Sequence, residues 1–358
     1  MPKTQTAKIT PKGHANGHAN GHASGRASGR ATLAEVAARA GVATMTASRA
    51  ISQPERVSAA LRSRVEAAAA ELGYVPNRAA RALASAHSNV IVVLVPSLSN
   101  AVFSAVLGGI EDALDADDYQ ILIGNTRYSD AEEEKLLGIY LQSNPDGILL
   151  SGLTHSRRVT QMLDASRVPI VSMMDLAHGP GQLSVGFSQQ QAGYTMTRYL
   201  IDKGRTKIGF MGAQLDERTM KRAEGYRQAM QQAGLYDARL EVMVADPSTI
   251  ALGAELLGRM LAGRPDCDAI FCCNDDLAHG AIYQCQRRGI GVPERLAICG
   301  FNDLPASAWM NPSVTTIATP RYRIGFEAAS LLRTVIRGDT PAATQIDLGF
   351  TLMARESA

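Results

Sequence analysis

Two arginines at helical spacing are the residues of this 358-residue chain that best suggest a specific chemistry. Arg218 and Arg222 lie four positions apart, shortly after an apolar run at residues 207–211 that predicts a strand. Residues at this spacing share one helix face, so both guanidinium groups can point the same way. Together they would form a forked donor array suited to a carboxylate or a phosphate. The solvated start of a charged helix is the alternative that spacing alone leaves open.

Amide and carboxylate side chains follow two further predicted strands. Asn274 and Asp275 follow one strand, and Asn302 and Asp303 follow the other. Such side chains suit the many hydroxyls of a polyol, because each oxygen can be paired without a large apolar pocket. Ordinary turn or cap residues are the alternative interpretation.

The sequence lacks the motifs of several common enzyme classes. It contains no GxGxxG, Walker A, GxSxG or HExxH pattern. Its five cysteines lack the paired spacing of a zinc site, so we interpret them as reduced, small apolar residues. They are Cys267, Cys272, Cys273, Cys285 and Cys299. We therefore predict a protein that is not an enzyme and has no cofactor or metal.

Charge is distributed unevenly along the chain. Residues 1–88 contain twelve Lys or Arg residues and four Glu residues, a net charge of +8, whereas the whole chain carries +2. A basic segment joined to an acidic body indicates that one end binds a polyanion, with nucleic acid as the first candidate. A basic tail that only aids solubility is the alternative.

The first predicted secondary-structure element begins at Thr32. Thr32 and Glu35 form a capping box, which predicts a helix start, and Gly41 ends that helix. A second short helix follows after a turn that contains Val42, and a third amphipathic helix is predicted at about residues 58–72. This pattern is typical of a helix-turn-helix.

Eight short apolar runs in the rest of the chain alternate with helix-length stretches, as buried parallel strands do. They lie at residues 90–95, 120–123, 147–150, 169–173, 207–211, 240–244, 269–272 and 297–299. This number of strands is larger than one sheet would comfortably hold. We therefore predict two doubly wound subdomains with a cleft at the carboxyl ends of the strands. No run is long enough to span a bilayer and no secretory signal is present, so we expect a cytoplasmic protein without a membrane partner.

A Gly- and Ala-rich repeat occupies residues 1–31, a segment with too little apolar surface to fold, so we predict a disordered tail. His14, His18 and His22 recur every four residues within it. Metal chelation is possible at this spacing, but a solvated tail is favoured because the intervening glycines give no preformed geometry.

Two segments resemble the lactose/galactose repressor family of transcription regulators. They are TLAEVAARAGVATMTASRAIS at residues 32–52 and ELGYVPNRAARAL at residues 71–83. The resemblance covers nearly everything after residue 31. It implies a homodimer that binds double-stranded operator DNA and a small-molecule effector.

The resemblance also implies a domain organisation. The expected order is a tail (1–31), an all-α helix-turn-helix DNA-binding domain (32–76), a hinge helix and linker (77–88), and an α/β core like periplasmic binding proteins (89–358). The core is expected to comprise two doubly wound subdomains, with crossovers near 188–190, 318–320 and 347–349.

DNA contacts are expected mainly from the second helix, which should enter the major groove. The residues that the resemblance implies are Thr32, Thr44, Met45, Thr46, Ser48, Arg49, Asn77, Ala80 and Leu83. Arg49 contacts either a base or a phosphate, and Leu83 is the expected apolar wedge in the minor groove. Ala43 stands where the family usually has a Ser or Thr cap, so we expect Thr44 to cap the helix one residue later.

Effector contacts follow from the same resemblance, which is closest to gluconate-operon repressors in the strings LDERT (215–219) and DLGF (347–350). The effector contacts that the resemblance implies are Ser97, Phe103, Asp175, Arg218, Arg222, Asn274 and Asn302. Asn302 and Ser188 each stand where the family usually has Asp, and this loss of negative charge suits an acidic ligand. We predict a repressor of sugar-acid genes that responds to gluconate or a related acid. The alternatives are a neutral sugar or nucleobase effector, or a sugar-binding or sugar-modifying α/β protein.

Overall fold

A computed structural model describes residues 31–75, 87–177, 179 and 181–358. By its internal contacts the chain divides into two units, residues 1–81 and 82–358. The Asn77, Ala80 and Leu83 positions of the predicted hinge helix lie outside the described residues, as does the tail before residue 31.

Three helices make up the described part of the first unit: α1 (Leu33–Arg39), α2 (Thr44–Ser52) and α3 (Ala59–Leu72). The capping box is present, since Thr32 Oγ1 accepts from the Glu35 amide at 3.3 Å and Glu35 accepts from the Thr32 amide at 2.7 Å. Gly41 takes the left-handed conformation (φ 62°) that ends α1. Small side chains such as Ala37 and Ala47 are buried between the helices with Val65, which confirms the predicted helix-turn-helix packing.

The second unit alternates strands and helices. Its helices are α4 (Ala101–Leu114), α5 (Asp130–Tyr140), α6 (Arg157–Ser166), α7 (Gln189–Asp202), α8 (Glu217–Gln232), α9 (Ile250–Gly263), α10 (Asp275–Arg288) and α11 (Arg321–Ile336). Its strands are β1 (Val90–Val95), β2 (Gln120–Asn125), β3 (Gly147–Ser151), β4 (Ile170–Met173), β5 (Leu183–Gly186), β6 (Ile208–Gly212), β7 (Glu241–Met243), β8 (Ala269–Cys272), β9 (Ala297–Cys299), β10 (Thr316–Ala318), β11 (Gln345–Asp347) and β12 (Thr351–Met353).

Two parallel sheets define two subdomains. The first subdomain is built on the sheet β11-β5-β4-β3-β1-β2 and the second on β7-β6-β8-β9, while β10 and β12 form a small antiparallel pair. The chain leaves the first sheet after β5, returns to it with α11, and leaves it again after β11. The predicted two-sheet α/β core is therefore present.

Four short strands, β5, β10, β11 and β12, were not expected from the sequence. The longest of them has four residues, and β11 and β12 carry half-buried or exposed side chains. These two strands therefore lack the buried apolar run that identifies a central parallel strand. The largely buried β5 and β10 are too short for such a run, and each contains a hydroxyl residue, Ser184 and Thr316. The other eight strands coincide with the predicted runs within one or two residues at each end.

Helices α7 and α8 of the second subdomain cross very closely, and glycine makes this possible. A Cβ atom on Gly225 would lie 2.0 Å from the Gln190 carbonyl oxygen, and one on Gly193 would lie 2.4 Å from the Arg222 carbonyl oxygen. Because neither backbone could give way, larger residues are excluded at both positions. The backbone of Arg222 is thereby fixed against α7.

Candidate ligand site and nucleic-acid interface

A cavity of about 640 Å³ lies where the strands of both subdomains end. This volume falls within the usual range for small-molecule sites, roughly 300–1,000 Å³. Among the residues that line it are Ser97, Phe103, Asn125, Arg127, Tyr128, Asp216, Arg218, Arg222, Asn274, Asp276 and Asn302. Six of the seven predicted effector contacts are thus brought together, and Asp175 is the one that is not.

Arg222 is a buried cation in this wall, only 6% exposed. Its Nε donates to Gln189 Oε1 at 2.8 Å, its Nη1 donates to the Cys273 carbonyl at 2.6 Å, and the guanidinium lies 3.7 Å from the centre of the Phe301 ring. Burial lowers the pKa of Arg222 to about 10, which leaves it charged at neutral pH. No carboxylate among the described residues forms a salt bridge with it, and its Nη2 has no protein partner there.

Arg218 lies in the same wall, but the protein itself neutralises its charge. Its Nε donates to Asp216 Oδ2 at 3.1 Å, and Nη2 donates to the same oxygen. Burial alone would raise the pKa of Asp216, but the adjacent Arg218 charge lowers it to about 2. Arg218 also lies over Phe103, at 5.2 Å from the ring centre, and reaches Ser151 Oγ at 3.3 Å. The two arginines therefore share a cavity without being equally available to a ligand.

The two predicted amides, Asn274 and Asn302, also differ in how available they are to a ligand. Asn274 caps α10 through the Leu277 amide (3.1 Å) and exchanges hydrogen bonds with Ser248. Asn302 is 6% exposed, has a φ of 105° that a non-glycine residue rarely adopts, and has a buried Oδ1 without a partner in the described structure. An unpaired buried acceptor in a cavity wall is suited to a ligand hydroxyl.

Sequence reasoning missed several lining residues. Arg127 and Tyr128, both at positive φ, line the cavity after β2, and Asp276 lines it at the start of α10, where burial raises its pKa. The signal that could have found Arg127 was available, since it follows the carboxyl end of a strand as Asn302 does.

Other highlighted polar residues have internal partners. Asp175 Oδ2 accepts from Lys221 Nζ at 2.6 Å, and Ser188 caps α7 through the Gln191 amide at 3.1 Å. Asp275 is fully buried and accepts from the Thr316 hydroxyl and two other donors. Asp303 pairs with Arg355 at 2.7 Å. Ser97 lines the cavity, where its hydroxyl accepts from the Asn100 amide at 3.2 Å.

The exposed face of α2 carries the predicted base contacts. Thr44, Met45 and Arg49 are exposed, Met45 by 74%, and Arg49 has no ion-pair partner among residues 31–75. Thr46 and Ser48 are half-buried, and Thr32 is the exposed cap of α1. The expectation that Thr44 caps α2 is wrong. Ala43 occupies the cap position, no side chain caps the helix, and Thr44 is its first residue.

The described residues give no sign of other chemistry. Among them, no group of His, Cys, Asp and Glu could hold a metal, and no helix is long and apolar enough to cross a membrane. All five cysteines are free and buried, as interpreted from the sequence. Burial raises the pKa of the Cys267 and Cys285 thiols to about 11, so these two do not provide reactive thiolates at neutral pH.

Comparison with known families identifies two modules. Residues 32–77 match the family described as bacterial regulatory proteins, lacI family, and residues 197–358 match a periplasmic binding protein-like domain. These matches confirm the predicted fold class.

Individual relatives extend over almost the whole chain. The HTH-type transcriptional regulator GntR of Pseudomonas aeruginosa is 48% identical over 326 residues, which cover 91% of this chain and 95% of the relative. The regulator of the same name from Escherichia coli K12 is 42% identical over 320 residues, covering 89% and 96%. The crystal structure of transcription regulator GntR from Chromobacterium violaceum is 53% identical, covers 75% of this chain and 98% of that chain, and superposes with a TM-score of 0.73.

Proposed function

This chain belongs to the LacI family of bacterial regulatory proteins, and from that premise we propose that it represses sugar-acid genes under the control of a gluconate-type acid bound at Arg222. Its relatives are transcription regulators, so the chain is a regulator and not an enzyme, as predicted.

The observation that carries the ligand class is the buried charge of Arg222. A cation that is 6% exposed and has no carboxylate partner in the described structure loses hydration without full compensation. A ligand carboxylate at Nη2 would supply the missing charge and a charge-assisted hydrogen bond. Arg218, already paired with Asp216, would assist by position rather than by net charge.

The rest of the cavity suits a polyhydroxylated chain. The unpartnered Oδ1 of Asn302 can accept a hydrogen bond from a hydroxyl, and Asn125 of the first subdomain also lines the cavity. An amide at residue 302 adds no negative charge to the cavity that Arg222 lines. The same groups would also accept a neutral sugar, so the carboxylate at Arg222 is what separates the two ligand classes.

Calorimetric titration with gluconate, gluconamide and glucose tests this proposal. Gluconamide has the same polyol chain as gluconate but no charge, so it isolates the contribution of the carboxylate. We expect gluconate to bind at least about a hundredfold more tightly, the equivalent of about 2.7 kcal/mol. Equal affinities for gluconate and gluconamide, or tighter binding of glucose, would refute an acid effector.

We propose further that the chain binds operator DNA as a homodimer. Met45 and Arg49 are exposed on α2, and a two-fold dimer would present two such helices to the major groove at symmetric half-sites. Large exposed apolar side chains on the second subdomain, Ile250, Tyr283 and Trp309, are suited to burial against a second copy. Gel-shift assays at two salt concentrations test the DNA contact, because neutralised phosphates impose a steep salt dependence. A cytoplasmic location stays a prediction.

A further inference from the structure

We infer that Gln189 holds the effector arginine in position and couples it to the first subdomain, an inference that rests on the proposed function of the cavity. Gln189 is the first residue of α7, where the chain has just left the first sheet, and it is fully buried. Its Oε1 accepts from Arg222 Nε at 2.8 Å, and its Nε2 donates to the Met174 carbonyl at 2.7 Å. One side chain thus connects the cation in the second subdomain to the backbone after β4.

The chemistry of the two partners fixes the orientation of this amide. The guanidinium of Arg222 can only donate and the Met174 carbonyl can only accept, so a flipped Gln189 would face two mismatched groups. Because the amide is buried, a rotation that breaks one bond also leaves the other group unpaired. The Arg222 and Met174 contacts are therefore made or lost together.

The segment that receives this link is held in an unusual conformation. Met174 has a φ of 76°, which is rare for a residue other than glycine, and its amide donates to the Val185 carbonyl at 3.0 Å. Its neighbour Asp175 accepts from Lys221 on α8 at 2.6 Å. A strained segment persists only while its surroundings hold it. Met174 and Asp175 are thus restrained by two polar links to α7 and α8.

Helix α8 carries both the arginine that lines the cavity and the lysine that contacts the segment after β4. Arg222 lines the cavity, while Lys221, the preceding residue, contacts Asp175. Because the close glycine crossing holds α8 against α7, a shift of the Arg222 side chain toward a bound carboxylate acts on Gln189 through the hydrogen bond from Nε to Oε1. Acid binding then changes the restraint on the Met174 segment, and with it the arrangement of the two subdomains.

Gln189→Met tests this relay because it removes both hydrogen bonds while keeping an unbranched side chain of similar size. Gln190→Met is the matched control: Gln190 is the next residue, is exposed, and its side chain donates to Gln228 Oε1 on the surface at 3.3 Å. Gluconate affinity is measured by calorimetry with and without an operator fragment selected with the wild-type protein. The ratio of the two affinities is the coupling factor, which linkage makes equal for acid and DNA.

We expect Gln189→Met to weaken gluconate binding about tenfold, as loss of one hydrogen bond to a charged group would. In the same variant the coupling factor should fall at least fivefold toward one. Gln190→Met should leave both the gluconate affinity and the coupling factor within twofold of wild type. A purely structural role would lower the melting temperature but leave the coupling factor of the folded protein unchanged, and that result overturns the inference. Gln189→Asn, one methylene too short to reach both partners, should reproduce the loss if the Met variant does not fold.

Operator affinity without any ligand separates this inference from the proposed function. If gluconate does not bind the wild type, the proposed function fails, yet Gln189→Met should still change operator affinity about threefold or more. Arg222→Lys should then cause no further change in operator affinity in the Gln189→Met background, because both substitutions break the same relay. Independent, additive effects of the two substitutions would overturn the relay.

Discussion

Replacing Arg222 with Lys keeps a positive charge in the cavity and removes the planar fork. In the wild type, Nε and Nη1 are used by Gln189 and the Cys273 carbonyl, which leaves Nη2 for a carboxylate. A single ammonium group at the end of a flexible stem cannot make all three contacts. At least one hydrogen bond to a charged group is lost, worth about 1.5–3 kcal/mol, so gluconate affinity should fall roughly 10- to 150-fold.

Calorimetric titration at pH 7 measures this effect, with two further Arg-to-Lys changes as controls. Arg198 pairs with Asp202 on the exposed side of α7, so Arg198→Lys should leave affinity unchanged. Arg218→Lys should cost less than Arg222→Lys, because the charge of Arg218 is already neutralised by Asp216. An affinity of Arg222→Lys within threefold of wild type would refute the carboxylate assignment, and a larger loss in Arg218→Lys would transfer it to Arg218.

Three further predictions concern the rest of the chain. Deleting residues 1–31 should leave operator affinity within about tenfold of wild type in equilibrium binding, because the capping box begins at Thr32. Leu83→Ala should weaken specific DNA binding and spare gluconate binding, since a smaller wedge does not compensate for base unstacking; equal losses at both sites would indicate a folding defect instead. Asp216→Asn keeps the cap of α8 but loses the Arg218 pair. The pKa of Asp216 is depressed to about 2 from 3.8, so its stabilisation of roughly 2 kcal/mol should be complete above about pH 4 and lost as the pH falls through 2. Chemical unfolding of both proteins across this pH range measures it, and a difference that does not change with pH would contradict the assignment.

Local signals in the sequence account for most of the fold. The capping box at Thr32, the left-handed Gly41 and the apolar run of β1 each depend on residues close together in the chain, and each is present as expected. The three-residue strand β11 depends on pairing with β5 across a long separation in the chain, so no local pattern identifies it.

Local sequence patterns likewise predict some residues of the candidate site but not the contacts between them. Asn302 follows a strand end and Arg222 shares a helix face with Arg218, so sequence patterns predict both, and both line the cavity. The contacts that set their availability come from elsewhere in the chain. Gln189 contacts Arg222 across 33 residues and Lys221 contacts Asp175 across 46, so no sequence pattern connects the members of either pair.

One distinction was nevertheless within reach of the sequence. An N-cap carboxylate reaches only the first turn of its helix, and Asp216 stands immediately before α8. Arg218 is the second residue of that helix, so it lies within reach of the cap oxygen. Arg222 is the sixth residue, more than a full turn further along, so Asp216 acts on it only through space and makes no hydrogen bond to it. The same four-residue spacing that suggested an equal pair thus assigns one charge to the protein and leaves the other for a ligand.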